Sequence, residues 1–524
     1  MSKRVRTIII VLIVVVLLAG GLTAVLLLTE PADGGESGSS DTSTDTISLL
    51  DKTTDSDGNT LEKPVTKVEV ETPDETFTIA DNADGILSVE DYADLPVNST
   101  NIESLTGALA SISANRKLES PESPSEYGFD DPLARVTATY EDGSTYSFEI
   151  GAMSEVSDEA YFRQADSGDI YMVTAAFAET VSQKSTAYIG TTLVSAPSVD
   201  EDDEEGQPVL RSITLSGSVR DGETLTVRRS NSEDSDTLSM YTYIVEKPFL
   251  RGANDTNASE AFDTAYSLVA DEAAFAHPTD KQKQECGLDD PYSVAQMTLA
   301  IETTQAEEGT TTTTTAAASS SESGEEAVTR YYNVQQYTVT VGKESPDGDG
   351  RYYVMVDGLD VIYLVSESSM PWLDVTYNDV ATTMLFLQDI TGIESISITE
   401  NGEETLFSLT HDPEATDSDD MLTVKVDGEQ KDTANFRNLY QVLMGVERID
   451  DADETPTGEP DMIIQINPID SQDETITARL YRTSGSRYTC VMQDGDRYAV
   501  SAGSVEAVSK QLANYLAGQE VLVY

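Results

Sequence analysis

The sequence has few of the residues on which many active sites and stabilising frameworks depend. Its 524 residues include two cysteines and two histidines. Cys286 and Cys490 are far apart, and a disulfide framework needs more cysteines, so we expect two separately buried thiols. His277 and His411 are too few for a histidine-based metal cluster or catalytic triad. These scarcities argue against the commonest metal-dependent and nucleophilic enzymes.

Basic residues are also scarce. The chain has 31 Lys and Arg against 95 Asp and Glu, a formal net charge of −64. Nucleic-acid binding depends on Lys and Arg that displace counterions, and anionic lipid headgroups repel an acidic surface. We therefore expect no nucleic-acid partner, and we interpret the acidity as a strongly solvated surface.

Motifs that carry chemistry are missing as well. The sequence has no phosphate-binding loop, no dinucleotide fingerprint, no nucleophile elbow and no HExxH. A pair of carboxylates can hydrolyse glycosides, but among so many acids the sequence singles out no pair. We therefore predict no enzymatic activity, no metal and no cofactor.

One long apolar run lies near the N-terminus. Residues 8–28 are uncharged and number about 21, enough to span a bilayer as a helix. The run continues past Ala19-Gly20-Gly21, which favours an uncleaved anchor over a secretory signal peptide. Lys3, Arg4 and Arg6 precede it, so the positive-inside rule leaves the short N-terminus in the cytoplasm. We expect a single-pass protein of the cell membrane whose C-terminal region lies outside the cytoplasm.

A short motif occurs twice, as Tyr127-Gly-Phe-Asp-Asp-Pro132 and as Cys286-Gly-Leu-Asp-Asp-Pro291. Glycine adopts backbone angles closed to other residues, and Asp-Asp-Pro is typical of turns. Each copy precedes alternating apolar and polar residues that predict a β-hairpin. The paired acids can alternatively be read as a metal or acid/base site, but the turn interpretation is favoured. The predicted structural motif comprises Gly128, Asp130, Asp131, Pro132, Gly151, Gly287, Asp289, Asp290, Pro291 and Gly342.

The elements around the motif predict an α+β fold of three repeated units. Each unit has antiparallel strands and one amphipathic helix. The third unit lacks the motif, and Gly458-Glu459-Pro460 stands near that place. The apolar helix faces are Ile102/Leu105/Leu109, Phe262/Ala265/Tyr266/Val269 and Phe436/Leu439/Tyr440/Leu443.

Composition and repeat spacing give the domain boundaries. A Ser/Thr/Asp/Gly-rich segment predicts a tether, an acidic run predicts a linker, and a Thr-rich stretch predicts a disordered insertion in a hairpin. The predicted parts are a cytoplasmic tail 1–7, a transmembrane anchor 8–28, a disordered linker 29–63, repeat unit 1 at 64–196, an acidic linker 197–208, repeat unit 2 at 209–392 with the insertion 303–329, and a degenerate repeat unit 3 at 393–524.

The layout resembles the uncharacterised "domain of unknown function 4340" family of membrane-anchored bacterial envelope proteins. The anchor, the two motifs and the following Gly151…Tyr161 and Gly342…Tyr352 spacings carry the resemblance. It covers residues 65–373 and, more weakly, 393–524. The resemblance implies an association with ABC-type export systems, and it supplies no catalytic residues.

We therefore expect a non-enzymatic envelope protein that acts as an accessory or scaffold of an ABC-type transport system. The alternative is an extracellular binding module for a cell-wall polymer or a small solute, and an envelope hydrolase is the third possibility. Recurring tyrosines fit a packing role better than a glycan-binding role; they are Tyr161, Tyr171, Tyr352, Tyr363, Tyr488 and Tyr498.

Overall fold

A computed structural model of the protein describes residues 46–50, 53–54, 60–61, 63–119, 121, 123–200, 206–231, 234, 238–303, 330–386, 388–412, 421–452, 455–469 and 475–523. The predicted tail (1–7) and anchor (8–28) lie outside these residues. Among the residues that the structure describes, no helix is both long enough and apolar enough to cross a bilayer.

Strands dominate the described residues, with a smaller helical content, so the α+β prediction is confirmed. The helices are α1 Ser99–Ala110, α2 Ala175–Val181, α3 Asp255–Phe262, α4 Asp280–Glu285, α5 Tyr377–Val380, α6 Thr433–Met444 and α7 Ala502–Leu516.

Three two-stranded sheets accompany three large ones within the described ranges, and the prediction did not include them. They pair β1 (Ile47–Ser48) with β7 (Ser113–Ala114), β2 (Thr53–Thr54) with β3 (Thr60–Leu61), and β13 (Thr192–Val194) with β18 (Leu268–Val269).

The first sheet has eight antiparallel strands in the order β6-β5-β4-β9-β10-β11-β12-β8. Its strands are β4 Val65–Glu71, β5 Thr76–Asp81, β6 Leu87–Val89, β8 Arg116–Lys117, β9 Ala134–Tyr140, β10 Thr145–Met153, β11 Glu159–Gln164 and β12 Ile170–Thr174.

The second sheet has nine strands in the order β17-β16-β15-β14-β20-β21-β22-β23-β19. They are β14 Gln207–Ser216, β15 Leu225–Arg229, β16 Tyr243–Lys247, β17 Arg251–Gly252, β19 Glu272–Ala276, β20 Ser293–Thr303, β21 Arg330–Glu344, β22 Arg351–Val356 and β23 Val361–Ser366.

The third sheet also has nine strands, in the order β27-β26-β25-β24-β29-β30-β31-β32-β28. They are β24 Ile393–Glu400, β25 Glu403–His411, β26 Leu422–Val426, β27 Glu429–Gln430, β28 Arg448–Asp451, β29 Met462–Pro468, β30 Ile476–Arg482, β31 Arg487–Met492 and β32 Arg497–Ser501.

Two predicted linkers contain ordered strands. The segment 29–63 was expected to be disordered, but β1 pairs with β7 and Leu49 packs against the first core. The acidic linker 197–208 overlaps β14, because Gln207 and Pro208 pair with the end of β20. The predicted insertion 303–329 starts one residue early, since Thr303 is the last residue of β20; the rest of that insertion lies outside the described residues.

The helices begin where a side chain caps their free amide groups. Asn98, Asn254 and Asp432 each accept a hydrogen bond from the backbone N–H three residues on. The predicted apolar faces of α1 and α6 are buried. The second face was partly right, because Phe262 and Ala265 are buried and Tyr266 packs against the same cluster. It was wrong about the helix, since α3 ends at Phe262, and about Val269, which is exposed in β18.

The buried side chains form two apolar clusters. The first is enclosed by the first sheet, α1 and α2, and includes Leu105 and Phe148. The second runs without interruption through the second and third sheets, from Phe262 to Phe436. It also takes in Leu95 and Ile189, which come from the segments around the first sheet. The apolar contacts are thus continuous across the joint between the second and third sheets, and the core of the first sheet is a separate cluster.

Candidate functional site

The first motif places two glycines in close contact. Gly128 has φ +80° and ends a short 3-10 helix at Pro124–Tyr127. Gly151 lies on β10 directly beside it, and a Cβ on Gly151 would stand 2.2 Å from the carbonyl oxygen of Tyr127. Because real Cβ atoms do not approach an oxygen so closely, both glycines are required by the local geometry.

The second motif repeats this contact. Gly287 has φ +73° and follows α4, while Gly342 lies on β21. A Cβ on Gly342 would stand 2.1 Å from the carbonyl oxygen of Cys286. Lys343 donates its backbone N–H to that same oxygen at 2.9 Å. In both copies a glycine pair therefore joins a helix end to the fourth strand of its sheet, counted from the edge formed by β8 or β19.

The acidic residues of the motifs lie at the surface. Asp130, Asp131, Asp289 and Asp290 are exposed, while Pro132 is buried; Pro291 is partly buried. Strands β9 and β20 begin within two residues of these prolines. In the described part of the chain, no group of three or more His, Cys, Asp or Glu side chains could hold a metal ion.

The third sheet lacks the glycine contact. Leu480 pairs with Met462 as Ile150 pairs with Ala134, so the residue after Leu480 takes the place of Gly151. That residue is Tyr481, whose side chain excludes a close backbone approach. Gly458 has φ +102°, and a Cβ there would meet nothing within 4 Å. This glycine is a turn residue and does not replace the motif.

A groove lies beside the second motif, and we call it the motif groove. Its volume is about 990 Å³. Partly buried apolar side chains, Leu288, Met355 and Leu359, line it. Charged side chains also border it: Asp280, Lys281, Lys283, Asp289, Asp357 and Asp360. Asp289 of the second motif thus borders an open groove that is partly apolar.

The corresponding place in the first sheet is a groove of about 680 Å³ with charged walls. Arg163 occupies the position equivalent to Met355, and its guanidinium lies 4.6 Å from the ring centre of Phe129. Arg163 also forms an ion pair with Glu149, which pairs with Arg135 at 3.0 Å. Arg135 in turn contacts Glu71 at 2.7 Å. An ion-pair ladder thus lines the groove of the first sheet, whereas the motif groove of the second sheet has an apolar component.

A buried polar cluster joins the second and third sheets, and we call it the inter-sheet cluster: Arg251, Tyr377, Arg448, Asp496 and Tyr498. Asp496 is 3% exposed. It accepts hydrogen bonds from Tyr377 at 2.5 Å and from Tyr498, and the Arg251 guanidinium lies 3.5 Å away. The Arg448 guanidinium lies 5.8 and 5.7 Å from the two tyrosine rings. Burial raises the pKa of both tyrosine hydroxyls well above the ordinary value.

A second buried cation, Arg220, binds the segment that follows the last strand of the second sheet. Arg220 is 6% exposed and donates to the carbonyl oxygens of Trp372 (3.0 Å), Leu373 (2.8 Å) and Val375 (2.8 Å). It also donates to the hydroxyl of Ser293 at 2.9 Å. Burial lowers its pKa to about 10. The protein itself saturates this guanidinium, which therefore acts as a structural tie.

One histidine bridges the first and second sheets. His277 contacts Asp94 through Nε2 at 3.3 Å and Asp360 through Nδ1 at 3.2 Å. Lys283 lies 3.7 Å from the other oxygen of Asp360. The hydrogen bond to Asp360 raises the pKa of His277, and the charge of Asp94 adds to this effect. The other histidine, His411, contacts the carbonyl oxygen of Ile393 at 2.8 Å.

Both cysteines are buried and unpaired. Burial raises the pKa of the Cys490 thiol to about 12 and raises the pKa of Cys286 as well. Neither thiol is suited to act as a nucleophile, because the thiolate is the reactive form.

A family model matches residues 88–291 and again residues 295–458, more than half of the chain. The chain belongs to the family described as "Domain of unknown function (DUF4340)". Each matched DUF4340 segment starts within one large sheet, in β6 or β20, and ends inside the next sheet, just before β20 or β29. The boundaries of the family matches therefore do not coincide with the boundaries of the sheets. Neither the curated proteins nor the solved structures contain a match to the chain.

Sequence patterns alone did not identify Arg220, Arg251 or Asp496 as important residues. Asp496 lies in a polar Asp-Gly-Asp turn of a common kind, and its partner Tyr377 is 119 positions away. The rarity of basic residues could have pointed to the two arginines. In a chain with so many acidic residues, both Arg220 and Arg251 have specific buried partners.

Proposed function

We propose that the protein is a non-enzymatic, single-pass envelope protein whose ectodomain is an accessory or scaffold of an ABC-type transport system. Membership of the DUF4340 family supports this proposal, together with the apolar run 8–28 behind Lys3, Arg4 and Arg6. In this proposal residues 8–28 hold the protein in the cell membrane, and the C-terminal region lies outside the cytoplasm.

The proposed ectodomain consists of three copies of one unit. The three large sheets share one strand order, which supports this proposal. In each sheet the first long strand pairs with a strand that comes after the helix, as β4 with β9, β14 with β20 and β24 with β29. The two family matches support at least two copies.

The inter-sheet cluster carries the scaffold proposal. Removing two charged groups from water costs free energy that only good geometry and several hydrogen bonds recover. Here Arg251 of the second sheet meets Asp496 of the third among two tyrosine hydroxyls. Together with the shared apolar cluster, these contacts fix one sheet against the next. A body with fixed joints can hold a membrane partner at a set position.

The motif groove is the proposed contact surface. Its apolar side chains are partly exposed, whereas the equivalent groove of the first sheet is lined by an ion-pair ladder. A photoreactive amino acid at Leu359 tests the proposal in cells, with detergent extraction, affinity capture of the full-length protein and mass spectrometry. We expect a crosslink to the permease subunit of a transporter, because that subunit has parts outside the cytoplasm that the ectodomain can reach.

The control carries the photoreactive residue at Val156, which is 94% exposed on the first sheet. It should crosslink much less to the same subunit. Recovery of the protein alone from both positions, while a known membrane complex crosslinks in the same cells, would contradict the scaffold role.

The second candidate is an extracellular binding module for a cell-wall polymer or a small solute. A polar pocket at the end of the second sheet, lined by Arg229, Glu302 and Tyr266, favours this candidate.

A further inference from the structure

The second sheet extends beyond the region that it shares with the first. Its β20 and β21 have 11 and 15 residues, whereas β9 and β10 have 7 and 9. Pairing in the extension continues from Gln207 to Glu302 and from Glu302 to Tyr331. The extension forms one wall of a pocket of about 740 Å³, which we call the strand-end pocket. This volume is typical of small-molecule sites, which enclose about 300–1,000 Å³.

A charged pair is held in the wall of the strand-end pocket. Arg229 contacts Glu302 at 3.1 Å, and each side chain is 23% exposed. The guanidinium also lies 5.6 Å from the ring centre of Tyr243. Strand pairing puts Asp81 and Leu409 at the position of Arg229 in the first and third sheets. The pair therefore belongs to the second sheet and does not follow from the common architecture.

The opposite wall comes from the end of α3. Tyr243 donates its hydroxyl to Asp263 at 2.8 Å, and Asp263 is the residue that caps the helix. Tyr266, three residues on, is half-buried against the apolar core and lines the pocket. The pocket thus combines two tyrosines, two carboxylates and one guanidinium.

These groups define the chemistry of the ligand. Glu302 already neutralises Arg229, and Asp263 adds a further negative charge, so an anionic ligand is disfavoured. An apolar ligand would leave the charged walls without partners. Saccharide hydroxyls both donate and accept hydrogen bonds, and the C–H face of a sugar ring packs on an aromatic side chain.

We propose that the strand-end pocket binds a neutral saccharide unit. Tyr266 would pack against the sugar ring, Glu302 and Asp263 would accept hydrogen bonds from its hydroxyls, and Arg229 would donate to them. This inference does not depend on the scaffold role, because the pocket and the motif groove share no lining residue.

The test uses the full-length protein in a detergent that has no sugar headgroup. Glucose, galactose, mannose, N-acetylglucosamine and its β-1,4-linked dimer are offered as probes, by saturation-transfer NMR and calorimetry. We expect at least one to bind, and we expect Tyr266→Ala and Glu302→Gln each to raise its Kd about tenfold or more. Glu272→Gln is the matched control, because Glu272 pairs with Arg351 at 2.7 Å at the far edge of the same sheet. Its Kd should be unchanged.

Three results would overturn the proposal. The first is that no probe binds at millimolar concentration to protein whose circular dichroism is native. The second is that a probe binds with a Kd that neither substitution changes. The third is that a small polyamine such as putrescine binds and is lost in Glu302→Gln while no sugar binds, which would make the pocket a cation site.

Discussion

Gly342 passes the carbonyl oxygen of Cys286 so closely that a methyl group on Gly342 would stand 2.1 Å from that oxygen. The obstacle is backbone, which cannot rotate away as a side chain does. We therefore predict that Gly342→Ala lowers the free energy of unfolding by about 3 kcal/mol, as overpacking does in a close-packed interior. Chemical denaturation measures this change.

Gly107 provides the matched control for that substitution. It lies in α1, and a Cβ there would meet nothing within 4 Å. Gly107→Ala should stabilise the protein by about 0.5–1 kcal/mol, because alanine is the better helix former. If both substitutions had the same small effect, the proposed glycine contact would be wrong.

The hydrogen bond between Tyr377 and Asp496 is the second target. Tyr377→Phe removes a donor from a buried carboxylate, which costs about 1–3 kcal/mol. Tyr337→Phe is the control, since the hydroxyl of that partly buried tyrosine donates to Gln335 at 3.0 Å near the surface. It should change stability by less than about 0.5 kcal/mol. Equal losses in thermal denaturation would show that Asp496 does not depend on Tyr377.

Arg220 gives the largest predicted loss among the buried polar residues. Arg220→Met leaves the carbonyl oxygens of residues 372, 373 and 375 without their donor, and the summed cost is at least about 3 kcal/mol. Arg482→Met serves as the comparison, because Arg482 forms an exposed ion pair with Glu506. Exposed pairs contribute little to stability, because water and salt screen them. A denaturation midpoint for Arg220→Met like that of Arg482→Met would refute the assignment.

His277 makes a small part of the stability depend on pH. Its pKa is raised in the folded protein, chiefly by Asp360, so the folded state favours the protonated ring. The contribution is present below the unfolded pKa of about 6.5 and is lost as pH rises through the folded pKa.

The measurement compares the wild type with His277→Gln by thermal denaturation from pH 5 to pH 8. The wild type should exceed the variant most near pH 5–6, and the difference should shrink toward pH 8. It should remain within about 1 kcal/mol, because the groups are exposed. A difference that grows with pH would have the wrong sign.

Local patterns in the sequence predicted the elements whose energetics are local. Alternation identified β9 and β10, and the apolar stripes of α1 and α6 are buried as expected. The prediction that the helix continues beyond Phe262 was wrong, because α3 ends there. The chain then enters β18, which pairs with β13. Helical spacing alone does not reveal where a helix ends.

Features formed by residues far apart in the chain could not be predicted from local sequence patterns. The partners Arg251 and Tyr498 are 247 positions apart, and no local pattern joins them. The sequence analysis identified the four glycines as motif residues but did not predict that they lie against each other in pairs. That contact arises because β21 passes the end of α4, which no local pattern indicates. The strand-end pocket arises from extra strand length that composition had suggested was linker.

The central claim is that the three large sheets form one body with fixed joints. Spin labels on cysteines introduced at the exposed positions Asp166, Glu223 and Glu403 report on it, since the native Cys286 and Cys490 are buried and unreactive. Pulsed electron resonance on the Asp166–Glu223 and Glu223–Glu403 pairs measures the distances across the two joints. A single narrow distribution for each pair is the predicted result, and Asp496→Asn should broaden the second pair only. Broad distributions across both joints in the wild type would contradict the account.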